Sequence, residues 1–203
     1  EIENVNTDAL RELEKQGVKV FPQPHILELI RDKGTQKQFY IDNQIPTAPF
    51  IFREEGQLIP FDFPVVHKLR TGGYDGKGVQ IIDNTAALQT SFQEPSILEA
   101  CIPFEKELSV IVARNEKGET RCFPLVECEF NPEANLVEFL FSPARVSNAI
   151  EERAAQIAID LIEKLGMIGL LAVEFFLTKD GELLVNEIAP RPHNSGHHTI
   201  EIA

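Results

Sequence analysis

The chain has 203 residues, of which 43% are hydrophobic and 25% charged, and it carries a formal net charge of −13. That length is enough for one substantial hydrophobic core or two small ones, and the acidity argues against broad, non-specific affinity for nucleic acid. The longest apolar stretches are too short to span a membrane. Three cysteines without metal-ligand spacing favour reduced thiols and a cytoplasmic location.

Both ends of the sequence have the character of a fragment. The chain opens with "EIENV", an alternating strand-like pattern without an initiator Met, and it stops at "GHHTIEIA" without a closing signal. We therefore expect a segment of a longer protein, or the ordered part of one.

The first half of the chain mixes helical and strand-like patterns. Apolar spacing and flanking cap residues predict helices at residues 7–16, 24–33, 35–43 and 85–93. Two prolines in "IPTAPF" interrupt the helical pattern after the third helix. Alternating apolar residues predict strands at residues 64–69, 79–82 and 97–102. The first two of these strands lie on either side of a glycine-rich loop.

The second half continues the mixture. Residues 107–114 and 120–128 are predicted to form a hairpin around "NEKGE", and two further strands flank "TKDGE". Residues 150–165 form the clearest helical pattern, with Asn148 as its predicted cap. Because strands and helices do not alternate strictly, we predict an α+β fold rather than a doubly wound parallel sheet.

The glycine-rich loop "KLRTGGYDGKGV" at residues 68–79 is the first candidate for chemistry. A P-loop is excluded because Thr71 stands where its first glycine belongs, and the dinucleotide fingerprint fails at Ile81. What remains is a hairpin tip whose N–H groups and Lys77 can fold over a triphosphate, with Lys68 reaching the same phosphates. The alternative is an exposed hairpin with two solvated lysines.

A second candidate is the strand pair around Asp180-Gly181, which is a strong hairpin signal. If these two residues are the turn, Glu174 lies directly opposite Glu187. A four-residue loop about the same point keeps this register, whereas a three-residue loop would break it.

Opposed like charges destabilise a sheet unless a cation lies between them. Ligation by oxygen alone favours Mg²⁺, so Glu174 and Glu187 are predicted to bind this metal. The alternative is two acids on a solvated sheet face. In an ideal strand Asn186 points to the other face, so it could join the metal only if the strand twists or bulges there.

Together these features resemble the ATP-grasp superfamily. The strings "TQKQ", "PTAPF", "RTGGYDGKG" and "NEIAPRPHNSGHHT" narrow the resemblance to the 5-(carboxyamino)imidazole ribonucleotide synthase family. This family is also called the ATPase subunit of phosphoribosylaminoimidazole carboxylase. The match runs in order across essentially the whole chain. Its last string is the most specific, because other ATP-grasp ligases generally lack it.

The resemblance implies an α+β, ATP-grasp fold of two subdomains, with the nucleotide between two antiparallel sheets. Residues 1–20 would be the tail of an N-terminal Rossmann-like domain, and residues 21–203 the ATP-grasp domain. Within it, a smaller lid subdomain would span about 45–100. A small C-terminal domain would follow this chain.

The resemblance also implies a role for each matching residue. Contacts to ATP phosphates would come from Lys33, which is often Arg in relatives, from Lys68, and from a lid of Gly73, Tyr74, Asp75, Gly76, Lys77, Gly78 and Val79. The adenine edge and the ribose would be held by backbone groups of Glu99, Ala100, Cys101 and Ile102 and by the carboxylate of Glu107.

Three further assignments follow from the same match. Glu174 and Glu187 would bind Mg²⁺, with Asn186 beside them. Arg191 and His193 would sit where bicarbonate is phosphorylated, and Tyr74 and Asp75 near the imidazole substrate. One departure is visible: many relatives carry a His near Phe130 that touches the nucleotide, and this chain has "ECEF" there.

The implied activity is ATP-dependent carboxylation of 5-aminoimidazole ribonucleotide with bicarbonate, through carboxyphosphate, in de novo purine biosynthesis. ATP and Mg²⁺ would be the cofactors, Mn²⁺ a substitute, and a homodimer the assembly. The alternatives are another ATP-grasp carboxylate–amine ligase, such as a formate-using transformylase or biotin carboxylase, and a truncated nucleotide-binding domain without catalysis. The string "APRPHNSGHH" favours the synthase over another ligase.

Overall fold

The computed structural model describes residues 5–73, 77–131 and 136–202. Residues 1–4 of the predicted opening strand and three residues of the predicted phosphate lid, Tyr74, Asp75 and Gly76, lie outside the described residues.

Helices and strands alternate irregularly along the described chain. The helices are Thr7–Lys15 (α1), Pro24–Arg31 (α2), Lys33–Asp42 (α3), Thr85–Gln89 (α4), Asn148–Lys164 (α5) and Thr199–Ile202 (α6). The strands are Phe50–Phe52 (β1), Val65–Leu69 (β2), Val79–Ile82 (β3), Ser96–Ala100 (β4), Phe104–Arg114 (β5), Thr120–Cys122 (β6), Val126–Asn131 (β7), Leu136–Phe141 (β8), Gly169–Thr178 (β9) and Leu183–Ala189 (β10). Within the described ranges, none of the helices combines the length and the apolar character needed to cross a membrane.

The strands form two antiparallel sheets. Sheet one has four strands in the order β1-β4-β2-β3, and sheet two has six, with β10-β9-β5-β7-β8 in line and β6 paired to β5. The pairings within both sheets are antiparallel. The predicted α+β class is therefore confirmed.

Sheet two packs one of its faces on α5. Strand alternation directs Leu108, Val110 and Val112 of β5 into this core, where they meet the apolar stripe of α5. The same alternation turns Glu107 and Ser109 to the opposite face. That second face, which carries Glu107 and Ser109, is the one turned away from α5.

Sheet one has a smaller core of its own. Val65, Ile82 and Leu98 are buried together with apolar residues of α4 and of the segment before β2. Because Lys68 lies three residues after Val65, and Glu99 one residue after Leu98, both project from the other face of this sheet. The polar faces of the two sheets thus face a common cleft.

The start of α3 differs from the prediction. The sequence predicts a helix at 35–43, but the helix begins at Lys33 and its N-cap is Asp32, whose carboxylate accepts hydrogen bonds from the N–H groups of Gly34 (2.8 Å) and Thr35 (3.1 Å). Gly34 lies in the first turn of α3, where a Cβ atom would come within 2.5 Å of the Phe52 ring. Lys33 consequently begins α3 and lies beside sheet one, since its N–H donates to Arg70 O at 2.8 Å.

The predicted strand at 120–128 is divided into β6 and β7. Cys122 pairs with Val112 and Val126 pairs with Ser109, so one extra residue lies between these two pairs. Pro124 stands in this interval, and because it has no N–H it cannot continue the ladder. The expected hairpin around "NEKGE" is confirmed by the pairing of Arg114 with Thr120.

A buried carboxylate joins sheet two to the segment before α5. The Glu127 side chain, only 5% exposed, accepts hydrogen bonds from Lys106 Nζ and from Arg145 Nη2, both at 2.7 Å. The Arg145 backbone N–H also donates to it at 3.1 Å. These hydrogen bonds, above all those of the Arg145 guanidinium, lower the pKa of Glu127 to about 2 despite its burial.

We predict that Glu127→Gln destabilises the protein in a pH-dependent way. The carboxyl pKa is lower in the folded protein than in the unfolded chain, so its charge stabilises the fold above the unfolded value and this contribution disappears as the pH falls towards 2. Since Arg145 is half-exposed, solvent screening reduces the loss at pH 7 to on the order of 1–2 kcal/mol. Urea unfolding of both proteins at pH 7, 5 and 3 measures it. A difference that stays constant over this range would contradict the assignment.

Candidate functional site

The polar faces of the two sheets meet at the cleft through direct contacts. Lys68 on β2 of sheet one donates a hydrogen bond from Nζ to Asn186 Oδ1 on β10 of sheet two, at 3.0 Å. Lys33, at the start of α3, forms an ion pair with Glu187 of the same strand. Positive groups from the sheet-one side therefore meet oxygen atoms from sheet two.

The register of the β9–β10 hairpin differs from the prediction near its turn. The Thr178 N–H donates to Glu182 O at 2.9 Å, and Gly181, with φ +80°, donates to Thr178 O at 3.0 Å. The loop thus has three residues, and beyond it Val185 pairs with Phe175. The predicted two-residue turn at Asp180-Gly181 is wrong.

A β-bulge at Asn186 nevertheless restores the expected pair. Continued unchanged, the register of the turn would place Asn186 opposite Glu174, but the register shifts after Val185 and Glu187 pairs with Glu174 instead. Val185 is held from the outer side, because its N–H donates to Pro46 O and its C=O accepts from the Thr47 hydroxyl, each at 2.7 Å. The predicted opposition of Glu174 and Glu187 is therefore confirmed, through a bulge rather than through the turn.

The two opposed carboxylates have different electrostatic surroundings. Burial, followed by the charge of Glu187, raises the pKa of Glu174 to about 7. Burial also opposes the ionisation of Glu187, but the nearby Lys33 ammonium outweighs it and lowers the Glu187 pKa. Burial and repulsion at Glu174 therefore outweigh the opposing effect of Lys33 and Lys68.

The donor atoms of this pair fit Mg²⁺. Glu174 and Glu187 offer carboxylate oxygens, and the bulge brings the amide oxygen of Asn186 to the cleft, where it accepts from Lys68. Among the described residues, no group of three or more His, Cys, Asp and Glu side chains is placed to hold a metal. A cation here would thus need further oxygen atoms from a ligand, which is how Mg²⁺ is commonly held with nucleotide phosphates.

Lys68 belongs to a buried cluster of ion pairs. The Glu99 side chain, 3% exposed, lies 3.0 Å from Lys68 Nζ and 3.4 Å from Lys37 Nζ. Lys37 also donates to Thr47 Oγ1 at 2.7 Å, and burial lowers its pKa to about 8 although Glu99 opposes this. Sequence reasoning did not assign a role to Lys37. In the sequence, the only feature that marked Lys37 was its place in the string "TQKQ".

The glycine-rich loop at residues 68–79 needs glycine at two positions, Gly73 and Gly78, where its two sides approach each other. A Cβ atom at Gly73 would lie 2.8 Å from Lys77 O, and Gly78 has φ +79° with Gly73 Cα 3.1 Å from its Cβ position. Val79 follows and pairs with Lys68. The base of the predicted lid thus lies next to Lys68 and, through Gly73, next to Lys33.

The segment between β4 and β5 connects the two sheets. It contains Cys101, which is exposed, and Ile102, whose C=O accepts from the N–H of Phe104 at 2.9 Å. Phe104 stacks on Phe176 with ring centroids 4.5 Å apart, beside the predicted adenine-binding backbone. Sequence reasoning missed this aromatic pair, although strand alternation from Glu174 already predicts that Phe176 shares its face.

Glu107 and the region of the missing histidine lie on neighbouring strands. Glu107 pairs with Cys128, and burial raises the pKa of its carboxyl to about 7. Phe130 lies two residues further along β7 and is 36% exposed.

The turn after β10 brings His193 to the carboxylate pair. His193 Nε2 lies 3.2 Å from Glu174 Oε1, and burial, with the charge of Arg191 next, lowers the pKa of His193. Arg191 Nη1 donates to Pro192 O at 3.1 Å. Of the two predicted catalytic residues, His193 therefore contacts the predicted metal site directly.

Comparison with known proteins identifies the fold family. The profile of the ATP-grasp domain matches residues 38–203. The chain belongs to the ATP-grasp family. Its two antiparallel sheets with the cleft between them are the ATP-grasp architecture that the sequence predicts.

Curated proteins similar to this ATP-grasp chain carry two names. N5-carboxyaminoimidazole ribonucleotide synthases of Bacillus subtilis and Synechococcus elongatus are 40% and 38% identical to it, covering 100% and 99% of this chain and 55% and 52% of the relative. A phosphoribosylaminoimidazole carboxylase of Ogataea methanolica is 39% identical, covering 99% of this chain and 39% of the relative. The chain thus spans about half the length of these relatives, or less.

Solved structures of N5-carboxyaminoimidazole ribonucleotide synthetases share the fold. The enzyme of Thermotoga maritima has a TM-score of 0.87 at 41% identity, covering 99% of this chain and 53% of that one. An ADP complex of another has a TM-score of 0.91 at 36% identity, covering 99% and 55%. The synthase of Aspergillus clavatus in complex with ADP and 5-aminoimidazole ribonucleotide has a TM-score of 0.85 at 29% identity, covering 97% and 54%.

We predict that Lys37→Met lowers the free energy of unfolding by about 3 kcal/mol, because removing one member of a buried ionic cluster leaves Glu99 less compensated. Lys68 keeps part of that compensation, so the loss should stay at the lower end of what broken buried pairs cost. The matched control is Lys15→Met, which removes a solvent-exposed ion pair and should cost less than about 0.5 kcal/mol. Urea unfolding at pH 7 compares the two. Equal losses would show that the buried cluster contributes no more than a surface pair.

Proposed function

We propose that the protein is an ATP-dependent carbon–nitrogen ligase that carboxylates 5-aminoimidazole ribonucleotide with bicarbonate. The proposal depends above all on the contact of His193 with Glu174. His193 belongs to the string "APRPHNSGHH", and Glu174 belongs to the carboxylate pair in the cleft of this ATP-grasp fold. The proposal is supported by the names of the relatives and by the ADP and 5-aminoimidazole ribonucleotide bound in similar structures.

ATP would bind between the two sheets. Lys68 and Lys33 are suited to contact its phosphates, because Lys68 pairs with Val79 of the glycine-rich hairpin, Lys33 lies next to Gly73, and both ammonium groups contact β10. The proposed lid over the phosphates includes Gly73, Lys77, Gly78 and Val79, together with Tyr74, Asp75 and Gly76 outside the described residues. The proposed adenine and ribose contacts are the backbone of Glu99, Ala100, Cys101 and Ile102, at the end of β4 and in the connection that follows it, and the carboxylate of Glu107 on β5.

Glu174, Glu187 and Asn186 are the residues we propose to hold Mg²⁺ or Mn²⁺. When bound, the metal would neutralise charge on the phosphates of the nucleotide. The chain's own contribution is a pair of oxygen donors in a fixed cross-strand register, with Lys33 balancing one of the two charges.

The first chemical step is the attack of a bicarbonate oxygen on the γ-phosphorus of ATP, which releases ADP and forms carboxyphosphate. Bicarbonate is a poor electrophile until one of its oxygens can leave as phosphate. Lys68 and Lys33 can spread the charge that develops on the transferred group, since both are already oriented by neighbouring carboxylates or amides.

The second step must keep carboxyphosphate away from water. The guanidinium of Arg191 can bind it through paired hydrogen bonds, and the lid can close over it. Collapse of the intermediate releases phosphate and CO₂, and the exocyclic amine attacks the carbon and loses a proton to form the carbamate. His193 is proposed to orient the reacting groups, because both its ring nitrogens already have protein partners.

Several further features belong to the same proposal. The lid subdomain at about 45–100 contains all of sheet one with its separate core. Residues 1–20 would be the tail of a Rossmann-like domain, and the assembly would be a cytoplasmic homodimer. In the proposed nucleotide site, the region near Phe130 would lack the His that many synthases carry there.

The proposal predicts that ATP hydrolysis by the full-length protein requires both bicarbonate and 5-aminoimidazole ribonucleotide. Carboxyphosphate cannot form without bicarbonate, and it is not consumed productively without the amine. Phosphate release is measured with each substrate omitted in turn, and with formate replacing bicarbonate. Hydrolysis driven equally well by formate would instead support a formate-using ligase of the same fold.

A further inference from the structure

A ring of four residues, Ser109, Ser195, His193 and Glu174, ties the turn after β10 to sheet two through three polar side-chain contacts and one cross-strand backbone pairing. Ser109 Oγ lies 2.7 Å from Ser195 Oγ, Ser195 Oγ lies 3.0 Å from His193 Nδ1, and His193 Nε2 lies 3.2 Å from Glu174 Oε1. Ser109 and Glu174 are themselves paired on the neighbouring strands β5 and β9. The ring therefore begins and ends at adjacent positions of one sheet.

Both serines of the ring are inaccessible to water. Ser109 is 1% exposed and Ser195 3% exposed. A buried hydroxyl without a hydrogen bond costs free energy, so two buried serines that bond to each other and to one imidazole have a defined arrangement. Ser195 is the centre of this arrangement, because it contacts both Ser109 and His193.

The hydrogen bonds of the ring have one consistent direction. The backbone N–H of Ser195 points at His193 Nδ1 from 3.4 Å, and an N–H group can only donate. His193 Nδ1 is then the acceptor, so the Ser195 hydroxyl donates to it and Ser109 donates to Ser195. In the neutral imidazole the proton is therefore on Nε2, where it faces the Glu174 carboxylate.

We propose that Ser195, supported by Ser109, is a positioning residue that holds His193 in the Nε2–H tautomer with this N–H directed at Glu174. This inference rests on the proposed function, in which Glu174 and His193 serve the reaction. Imidazole–carboxylate contacts of this kind orient the ligands of metal sites, and loss of such a supporting partner typically lowers activity or metal affinity 10–100-fold.

The experiment uses Ser195→Ala, Ser195→Thr and Ser109→Ala in the full-length protein. Long-range ¹H–¹⁵N spectra report which ring nitrogen of each histidine carries the proton, and His193→Gln identifies the signals of His193. In the parent protein we expect a proton on Nε2. In Ser195→Ala we expect a substantial fraction with the proton on Nδ1, and in Ser195→Thr, which keeps the hydroxyl, the parent spectrum. Ser109→Ala should give a smaller change in the same direction.

Kinetics provide the second measurement. Ser195→Ala should lower kcat about tenfold while the KM for ATP changes less than about twofold, because the described contacts of Ser195 and His193 do not include Lys33 or Lys68. Ser195→Thr should recover most of the kcat. If Ser195→Ala does not fold, Ser109→Ala and Ser195→Thr still test the arrangement.

The matched control is Ser96→Ala. Ser96 Oγ bonds His67 Nε2 at 2.7 Å, and this buried serine–histidine pair belongs to sheet one, on the face turned away from the cleft. Its loss should alter the spectrum of His67 and the stability, but not the spectrum of His193 or kcat.

An unchanged His193 tautomer in both Ala variants would overturn the inference, and so would an equal loss of kcat in Ser195→Thr and Ser195→Ala. Hydrolysis that is independent of bicarbonate in the parent protein would overturn the proposed function instead. The spectra would still decide the arrangement of the ring.

Discussion

Two carboxylates, Glu174 and Glu187, occupy directly opposed positions on neighbouring strands, and the polar interior of the cleft is arranged around their repulsion. The opposition depends on the bulge at Asn186, which the backbone of residues 46–47 stabilises by bonding Val185 from outside. Lys33 balances the charge of Glu187, whereas Glu174 keeps a raised pKa of about 7. A site that concentrates negative charge in this way is suited to bind a cation together with an anionic ligand.

The same electrostatics couple the two sheets. Lys68 belongs to sheet one, yet its ammonium reaches Asn186 on sheet two and Glu99 on its own sheet. Glu99 is in turn held by Lys37 from α3. Buried charges are tolerated only when they are paired and hydrogen-bonded, so this cluster keeps a cationic group at the cleft without leaving a carboxylate uncompensated. The fold thereby prepares positive charge where phosphates are proposed to bind.

Sequence patterns predicted the fold class, most elements and the Glu174–Glu187 pair, because hydrophobic periodicity and turn residues are local signals. They did not predict the three-residue loop at Gly181 or the bulge at Asn186, and the two deviations compensate each other in register. The bulge lies next to a contact between Val185 and residues 46–47, which are far away in the chain and outside any local pattern. The partners of Lys37 and Ser195 were missed for the same reason: a buried lysine or serine looks ordinary until its neighbours are known.

The central claim, that Glu174 and Glu187 bind the metal of a metal–nucleotide complex, is tested most directly by thermal midpoints with and without MgATP. At about a hundredfold excess over Kd, binding should raise the parent midpoint by roughly 5–10 °C. Glu174→Gln should be at least as stable as the parent without ligand, since it removes like-charge repulsion, and Glu187→Gln slightly less stable, since Lys33 loses its partner. Both should lose most of the MgATP gain, whereas Glu152→Gln, on the exposed side of α5, should keep it. Gains equal to the parent's in both cleft variants would contradict the account.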